Sequence, residues 1–266
     1  MELGFIGCGN MAQAMISGIL KKNIVAKESL IASGPTPEKM ENIKKNFGIV
    51  TTTDNHQVAK EANILVLSVK PQMYGEVIKE IKEDIKKDQI VVTIAAGVTM
   101  EQVKHQFGQN VKIIRTMPNT PALVGEAMVG MCCNEYVDAE EFAMIKSMFE
   151  SFGKVEEVKE GLMDAVVGVS GSSPAYVYMF IEALADAAVL QGIPRSQAYT
   201  FAAQSVLGSA KMVLETGEHP GVLKDAVCSP AGTTIEAVRV LEEMGMRSAV
   251  IEAVSSASEK SKEMGK

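Results

Sequence analysis

The stretch "LGFIGCGNMAQAMISGIL", residues 3–20, contains the pattern that sets the architecture of the first half of this chain. Leu3–Ile6 is an apolar run typical of a buried strand, and apolar residues recur at helical spacing after it. Between them lies Gly7-x-Gly9-x-x-Ala12, the spacing of a dinucleotide-binding turn where it joins a strand to a helix. In such a turn the first glycine permits the tight bend, the second lets the backbone approach a pyrophosphate, and the third small residue lets helix and strand pack closely. A glycine turn without a ligand is the alternative.

The residues that follow repeat the order of strand and helix. Strands are predicted at residues 3–6, 29–33, 64–68, 90–94, 111–116 and 154–158, and helices at 12–21, 37–46, 73–85, 100–107 and 138–152. This alternation produces a parallel sheet covered by helices. The prediction is an α/β fold whose N-terminal domain, residues 1–160, is a Rossmann-type doubly wound parallel sheet, which favours a dinucleotide at the first turn.

The second half, residues 161–266, lacks β-type alternation and is predicted to be all-α. Its most apolar segment, residues 175–193, carries Glu182 and Asp186, which favours a buried core helix over a membrane span. Because so much apolar helix is hard to close over one small core, we expect a C-terminal dimerisation domain with packing shared between subunits.

Composition narrows the classes of partner. The chain has 266 residues and a formal net charge of −7, so nucleic acid gains no favourable field and a small molecule is the expected partner. The cysteines, which include no Cys-x-x-Cys, are interpreted as reduced thiols, and no metal-ligand spacing is present. Since no basic leader precedes the first strand, we expect a cytoplasmic protein without a membrane anchor.

The end of the second predicted strand indicates which dinucleotide is bound. Sites that prefer NAD usually carry Asp or Glu there. This chain has Ser33-Gly34-Pro35-Thr36, with no acidic residue before Glu38. Hydroxyls and turn amides suit a 2′-phosphate, so NADPH is the predicted cofactor and NADH remains an alternative.

The sequence is poor in the groups that reduction of a ketone requires. An alkoxide needs a positioned acid, but His56, His105 and His219 are isolated, and the helix after Pro174 has no Lys, Arg or His before Arg195. An imine needs less, because its nitrogen can arrive protonated and placement then suffices. Reduction of an imine is therefore favoured.

A second anion site is predicted at Ser229–Thr234, which opens a helix running to about Glu243. Free N–H groups at a helix start suit a carboxylate, and the hydroxyls of Thr233 and Thr234 suit a ring nitrogen or a second oxygen. An ordinary helix N-cap is the alternative.

Over essentially its whole length the chain resembles the pyrroline-5-carboxylate reductases, which catalyse the last step of proline synthesis. The similar stretches are "SVKPQ", "AAGVT", "RTMPNTP", "VSGSSPAYVYMFIEALADAAVLQGIPR" and "GEHPGVLKDAVCSPAGTTIEAVRVLE". The family usually has two glycines before the paired threonines, and Ala231 replaces the first of them here. The resemblance implies a Rossmann domain, a helical domain interlocked with that of a partner in a homodimer, and an active site between the domains. Assembly of such dimers into a larger ring is a further possibility under this resemblance.

The resemblance also implies site residues. It places Thr234 as the catalytic donor to the imine nitrogen, and Glu160, Gly232, Thr233 and Thr234 at a substrate that bears a carboxylate. The implied NAD(P)H-binding residues are Ile6, Gly7, Cys8, Gly9, Asn10, Met11, Ser33, Asn55, Ser68, Val69, Lys70, Pro71, Ala95, Ala96 and Gly97.

The implied reaction is the reduction of 1-pyrroline-5-carboxylate to L-proline by hydride transfer to the cyclic imine. A reductase of another imine, an oxidoreductase similar to 3-hydroxyacid dehydrogenases, and a non-catalytic nucleotide-binding protein are the alternatives.

Overall fold

The computed structural model describes residues 2–265, and its first compact unit, formed by residues up to 172 together with those from 255 onward, holds an eight-stranded sheet. The strand order is β3, β2, β1, β4, β5, β6, β7, β8, and every neighbouring pair is parallel except β6 and β7. The strands are β1 Leu3–Ile6, β2 Leu30–Ser33, β3 Val50–Thr52, β4 Ile64–Leu67, β5 Ile90–Thr93, β6 Lys112–Met117, β7 Ala127–Cys133 and β8 Gly153–Glu157.

Helices cover both faces of this sheet. They are α1 Asn10–Lys21, α2 Pro37–Phe47, α3 Asn55–Glu61, α4 Tyr74–Ile81, α5 Met100–Phe107, α6 Ala139–Phe149 and α7 Met163–Val166. Because successive strand residues point to opposite faces, Phe5 belongs to a core cluster with Met15 and Phe152, whereas Ile6 belongs to one with Tyr74 and Ile78. The predicted Rossmann-type doubly wound fold is confirmed.

Two elements of this unit, β3 and α3, were missing from the sequence-based prediction, which placed only Cys132-Cys133 of β7 on a strand. β3 has three half-buried residues, and α3 has seven residues whose start is marked by the Asp54 side chain accepting a hydrogen bond from the His56 backbone N–H. β7 follows β6 after a short 3₁₀ turn at Thr120–Val124, and a connection that short returns the chain antiparallel. The helix predicted to reach residue 85 ends at Ile81.

The second compact unit, residues 173–254, is all-α, as predicted. It contains α8 Ser173–Leu190, α9 Arg195–Thr216, α10 Pro220–Val227, α11 Thr233–Glu243 and the first part of α12 Met246–Met264. The chain after residue 160 first packs into the sheet unit, since Met163 is fully buried in the cluster that contains Ile6. The predicted ranges 1–160 and 161–266 remain a prediction about functional domains.

The expectation that the apolar segment forms a buried core helix is wrong for the single chain. On α8, Met179 is 70% exposed and Leu190 is 84% exposed, and the buried core of this unit consists of Ala185, Ala198 and Ala202. Within the part of the chain that the structure describes, Glu160–Leu190 is the one helical segment that by length and composition could cross a membrane. An apolar surface of this extent marks an interaction face.

Candidate active site

The first turn of the chain is built around Gly7, at the point where the strand order reverses between β1 and β4. Gly7 has φ of +89°, a left-handed conformation, and a Cβ there would lie 2.8 Å from the carbonyl oxygen of Ser68. The Ser68 hydroxyl donates a hydrogen bond of 2.6 Å to the Gly7 carbonyl. Both the backbone angle and the lack of space therefore require glycine, and Ser68 holds the turn in place. Open α/β sheets bind ligands at such a reversal.

Gly9 has a different reason to be glycine. Its φ of −78° suits any residue, and a Cβ there would have no described protein atom within 4 Å. It is the N-cap of α1, where it offers no side chain to cap the N–H groups of the first turn, Asn10 and Met11 included. A side chain at this position would fill the space in front of the helix start, which is where a pyrophosphate would be held. The residues present therefore fit a dinucleotide.

Cys8, between these glycines, is half-buried and packs against the cluster that contains Phe5. Burial raises the pKa of its thiol to about 11. The thiol is therefore neutral at physiological pH, which agrees with a packing role beside the proposed cofactor rather than a nucleophilic one.

Alkylation of Cys8 by iodoacetamide at pH 8 is expected to be about 100-fold slower than alkylation of a cysteine in a short peptide. The reason is that only the thiolate reacts, and the raised pKa makes it scarce until the pH approaches 11. Mass spectrometry of the peptide that contains Cys8, over a series of pH values, measures the rate. Labelling at pH 8 as fast as that of the peptide would contradict the buried, neutral thiol.

At the end of β2 the structure turns the predicted cofactor residues toward each other. Ser33 is fully buried, and its hydroxyl donates to Asn55 Oδ1 at 2.7 Å. Asn55 Nδ2 donates in turn to Glu80 Oε2 at 2.9 Å. These contacts fasten the end of β2 to α3 and α4. Thr36, the N-cap of α2, makes no side-chain capping bond, so its hydroxyl is not committed to the helix. A role for Ser33 and Asn55 in cofactor binding remains a prediction.

The loops after β4 and β5 are joined by Tyr74, which the sequence analysis did not single out. Its buried hydroxyl donates to the Leu67 carbonyl at 2.7 Å and accepts from the Ile94 backbone N–H at 3.4 Å. Burial raises its pKa, so the hydroxyl stays protonated. The predicted cofactor residues Val69, Lys70, Pro71, Ala95 and Ala96 lie in these two loops. Only the folded chain brings a tyrosine of α4 to both.

Glu160 forms an ion pair with a buried arginine. Its Oε1 accepts hydrogen bonds from the Arg115 guanidinium at 3.1 Å and from the Met100 backbone N–H at 2.7 Å. Arg115 is 2% exposed. The carboxylate therefore caps the start of α5 and compensates a buried guanidinium. This observation explains Glu160 structurally, and its predicted contact with substrate remains a prediction. In the sequence, Arg115 stands out only as the first residue of the stretch "RTMPNTP".

The predicted second anion site is at the start of α11, which spans Thr233–Glu243 as expected. Gly232 is the N-cap, and its N–H donates to the Ser229 carbonyl at 3.0 Å. A Cβ at Gly232 would lie 2.3 Å from Ser229 Oγ, so a larger residue there would require the Ser229 hydroxyl to rotate away. Because Gly232 has no capping side chain, the first-turn N–H groups and the hydroxyls of Thr233 and Thr234 are available to an anion.

Ala231, where the resembled family has glycine, has φ of +56°. This left-handed conformation is unfavourable for alanine because its Cβ crowds the following carbonyl. The position immediately precedes the glycine that starts α11, so strain there lies within the proposed substrate turn.

Ala231→Gly is expected to raise the free energy of unfolding by about 1 kcal/mol, because glycine adopts this backbone angle without steric cost. Urea unfolding at one fixed protein concentration measures the change. Gly217→Ala serves as the mirrored control, since Gly217 also has positive φ, at 65°, and should lose stability on gaining a methyl group. A less stable Ala231→Gly protein would contradict the strain at this turn.

Among residues 2–265 no group of three or more His, Cys, Asp or Glu side chains is placed to hold a metal ion. The start of α11 offers hydroxyls and backbone N–H groups, and the start of α1 offers backbone N–H groups that suit an anion.

Comparison with known proteins extends over both units. A family model described as pyrroline-5-carboxylate reductase dimerisation matches residues 160–264, and one described as NADP oxidoreductase, coenzyme F420-dependent, matches residues 2–97. The pyrroline-5-carboxylate reductase of Escherichia coli K12 is 52% identical, over 100% of this chain and 98% of that protein. That of Methanosarcina acetivorans is 44% identical over the same shares. The crystal structure of Plasmodium falciparum pyrroline carboxylate reductase with NADP bound has a TM-score of 0.91 at 36% identity and covers 100% of this chain and 98% of its own.

Proposed function

Since this chain belongs to the pyrroline-5-carboxylate reductase family, we propose that it reduces 1-pyrroline-5-carboxylate to L-proline with NADPH as the reductant. One observation carries the proposal: the chain combines an open dinucleotide-binding turn at Gly9 with a second uncapped helix start at Thr233 that is lined by hydroxyls. The first suits a pyrophosphate and the second a small carboxylate. Hydroxyls can hold an imine in position by hydrogen bonding, but they are too weakly acidic to protonate the alkoxide formed from a ketone efficiently.

The cofactor would be held by the residues that follow β1, β2, β4 and β5. NADPH, when bound, supplies the hydride. The first turn of α1 would hold its pyrophosphate against Gly9, Asn10 and Met11, with Ile6, Gly7 and Cys8 forming the wall of the turn. Ser68, Val69, Lys70 and Pro71 with Ala95, Ala96 and Gly97 would line the nicotinamide side, and Ser33 and Asn55 would support the adenine ribose.

The substrate would be held by the start of α11. The free N–H groups near Gly232 and the Thr233 hydroxyl would bind the carboxylate, and the Thr234 hydroxyl would hydrogen-bond the ring nitrogen. Hydride on the imine carbon and a proton on the nitrogen together make L-proline and leave NADP⁺. The contribution of Thr234 is placement, since a protonated imine already carries the charge that attracts hydride. Glu160 is kept as a predicted substrate contact.

Dimer formation would bury the apolar surface that the helical unit exposes in the single chain. The family model that matches residues 160–264 describes a dimerisation domain, and we propose a homodimer in which a second copy covers the exposed apolar side chains of α8 and α9. Phe180 and Phe201 are 38% and 62% exposed in the single chain. We further propose that the protein functions in the cytoplasm without membrane or nucleic-acid partners, which fits its four unpaired cysteines and its negative charge.

The decisive experiment follows the loss of NADPH, and separately of NADH, with pyrroline-5-carboxylate as substrate. Open-chain 3-oxo acids and larger cyclic imines test the alternative oxidoreductases under the same conditions. Preferred turnover of the pyrroline with NADPH is the expected result. Turnover of a 3-oxo acid alone, or NADPH binding with no substrate consumed, would overturn the proposal.

A further inference from the structure

The C-terminal segment, residues 261–265, packs directly on the loop after β5. Gly97 in that loop has φ of +76°, and a Cβ there would lie 2.9 Å from the Ser261 carbonyl oxygen and 3.1 Å from the Gly265 nitrogen. From the other side, a Cβ at Gly265 would lie 2.1 Å from the Gly97 carbonyl oxygen. Gly97 is therefore small because the chain's own C-terminal segment occupies the adjacent space.

This segment is anchored to the sheet unit by a hydrogen bond from a buried serine. Ser261 is 2% exposed, and its hydroxyl donates to Asp164 Oδ1, on α7, at 2.6 Å. A hydrogen bond to a carboxylate is stronger than one between neutral groups. Leaving a buried hydrogen-bonding group without a partner also costs free energy. The hydrogen bond between Ser261 and Asp164 therefore fixes the position of the last turn of α12 against Gly97.

A second contact joins the segment to the start of α5. The Gln102 side chain donates from Nε2 to the Gly265 carbonyl at 2.6 Å, while its Oε1 accepts from the Thr99 backbone N–H at 2.8 Å. Thr99 and Gln102 also form the capping box that starts α5. One side chain thus ties the C-terminal segment to the residue that ends the loop.

The same segment borders a cavity of about 320 Å³ between the loops after β4 and β5. Pro71, Gln72 and Gly97 line it from the loops, and Met264 and Gly265 line it from the C-terminal segment. The proposed cofactor loops on both sides therefore share a wall with the last residues of the chain.

We propose that residues 261–265 are a positioning segment that holds the loop Ala95–Gly97 in the conformation that receives the nicotinamide end of NADPH, with Ser261 as its positioning residue. This inference rests on the proposed function, because the cofactor role of that loop is part of it. The physical gain is preorganisation: a loop with glycine in a left-handed conformation has many alternatives when free, and ordering it in advance lowers the cost of binding.

The test measures the NADPH dissociation constant by fluorescence titration without substrate, together with the KM values of both substrates. Ser261→Ala is expected to weaken NADPH binding roughly three- to tenfold, the effect of losing one charge-assisted hydrogen bond. The KM for pyrroline-5-carboxylate is expected to change by less than about twofold, since the start of α11 is untouched. Ser256→Ala, the same change at an exposed serine of α12, is the matched control and should leave NADPH binding as in the wild type.

Asp164, which accepts the hydrogen bond from Ser261, allows a double-mutant cycle. Asp164→Asn keeps the acceptor oxygen and should bind NADPH nearly as the wild type does, whereas Asp164→Ala should match Ser261→Ala. The double variant Ser261→Ala with Asp164→Ala should be no weaker than either single variant, because both remove the same bond. Gly265→Ala perturbs the same contact at half-buried Gly265, whose new methyl group would press on the Gly97 carbonyl, and it tests the inference should Ser261→Ala unfold.

The outcomes separate this inference from the proposed function. NADPH affinity unchanged in Ser261→Ala and in Gly265→Ala would overturn the positioning segment, even with full turnover of the pyrroline. Equal weakening of NADPH and pyrroline-5-carboxylate would also overturn it, since that indicates general loss of structure. Weaker NADPH binding in Ser261→Ala, together with a wild-type protein that does not reduce the pyrroline, would instead support the positioning segment and reject the proposed substrate.

Discussion

Thr234→Ala is expected to lower kcat/KM for pyrroline-5-carboxylate by about 10²–10³-fold, the usual effect of removing a positioned hydrogen-bonding group from a reacting centre. Thr234 lies in the first turn of α11, directly after the uncapped start at Gly232. Loss of its hydroxyl would leave the ring nitrogen without its partner while the carboxylate remains bound. The effect should therefore appear mainly in kcat.

Two companion variants sharpen this test. Thr234→Ser keeps the hydroxyl and should retain most activity, while Thr233→Ala removes a proposed carboxylate contact and should act mainly on KM. NADPH affinity, measured by titration in the absence of substrate, should be unchanged in all three, because α11 lies outside the proposed cofactor cradle. Loss of cofactor affinity in Thr234→Ala would mean that Thr234 serves the cofactor rather than the substrate.

Gly9→Val is expected to weaken NADPH binding by more than about 100-fold in a protein that still folds. The Cβ of the new side chain would meet no described protein atom within 4 Å, and the backbone angle at Gly9 suits any residue, so the fold is expected to be retained. It would instead enter the space in front of α1, where the pyrophosphate would approach the first-turn N–H groups. Fluorescence titration with NADPH measures the loss, and circular dichroism monitors folding.

Gly75→Val is the matched control, because a Cβ at Gly75 also meets nothing within 4 Å, although it lies in the exposed first turn of α4. NADPH affinity should stay at the wild-type level there. Gly7→Ala supplies the contrast: its backbone angle of +89° and its contact with Ser68 predict reduced stability as well as reduced binding. Normal NADPH affinity in Gly9→Val would contradict the proposed cradle.

Local sequence patterns were sufficient to predict secondary structure where residues that are neighbours in sequence are also neighbours in space. The strand, turn and helix of residues 3–20 follow from apolar spacing and two glycines, and α5 was predicted at its exact bounds because Thr99 and Gln102 form a capping box across one turn. The start of α11 was predicted in the same way from its Pro and Gly residues. The elements that were missed, β3 and α3, have three and seven residues, and periodicity over so few residues is a weak signal.

The amino-acid sequence alone thus established the dinucleotide turn, the change from α/β to all-α structure, the resemblance to one family and the two threonines at a second helix start. Tertiary structure was needed to assign individual side chains: Ser33 bonds to Asn55, Glu160 caps α5 beside buried Arg115, and Gly97 faces the C-terminal segment. Gln102 and Gly265, which join that segment to α5, are 163 residues apart in the chain. Spacing along a sequence reports contacts within a helix turn or a strand, whereas contacts between distant segments exist only once the core has folded.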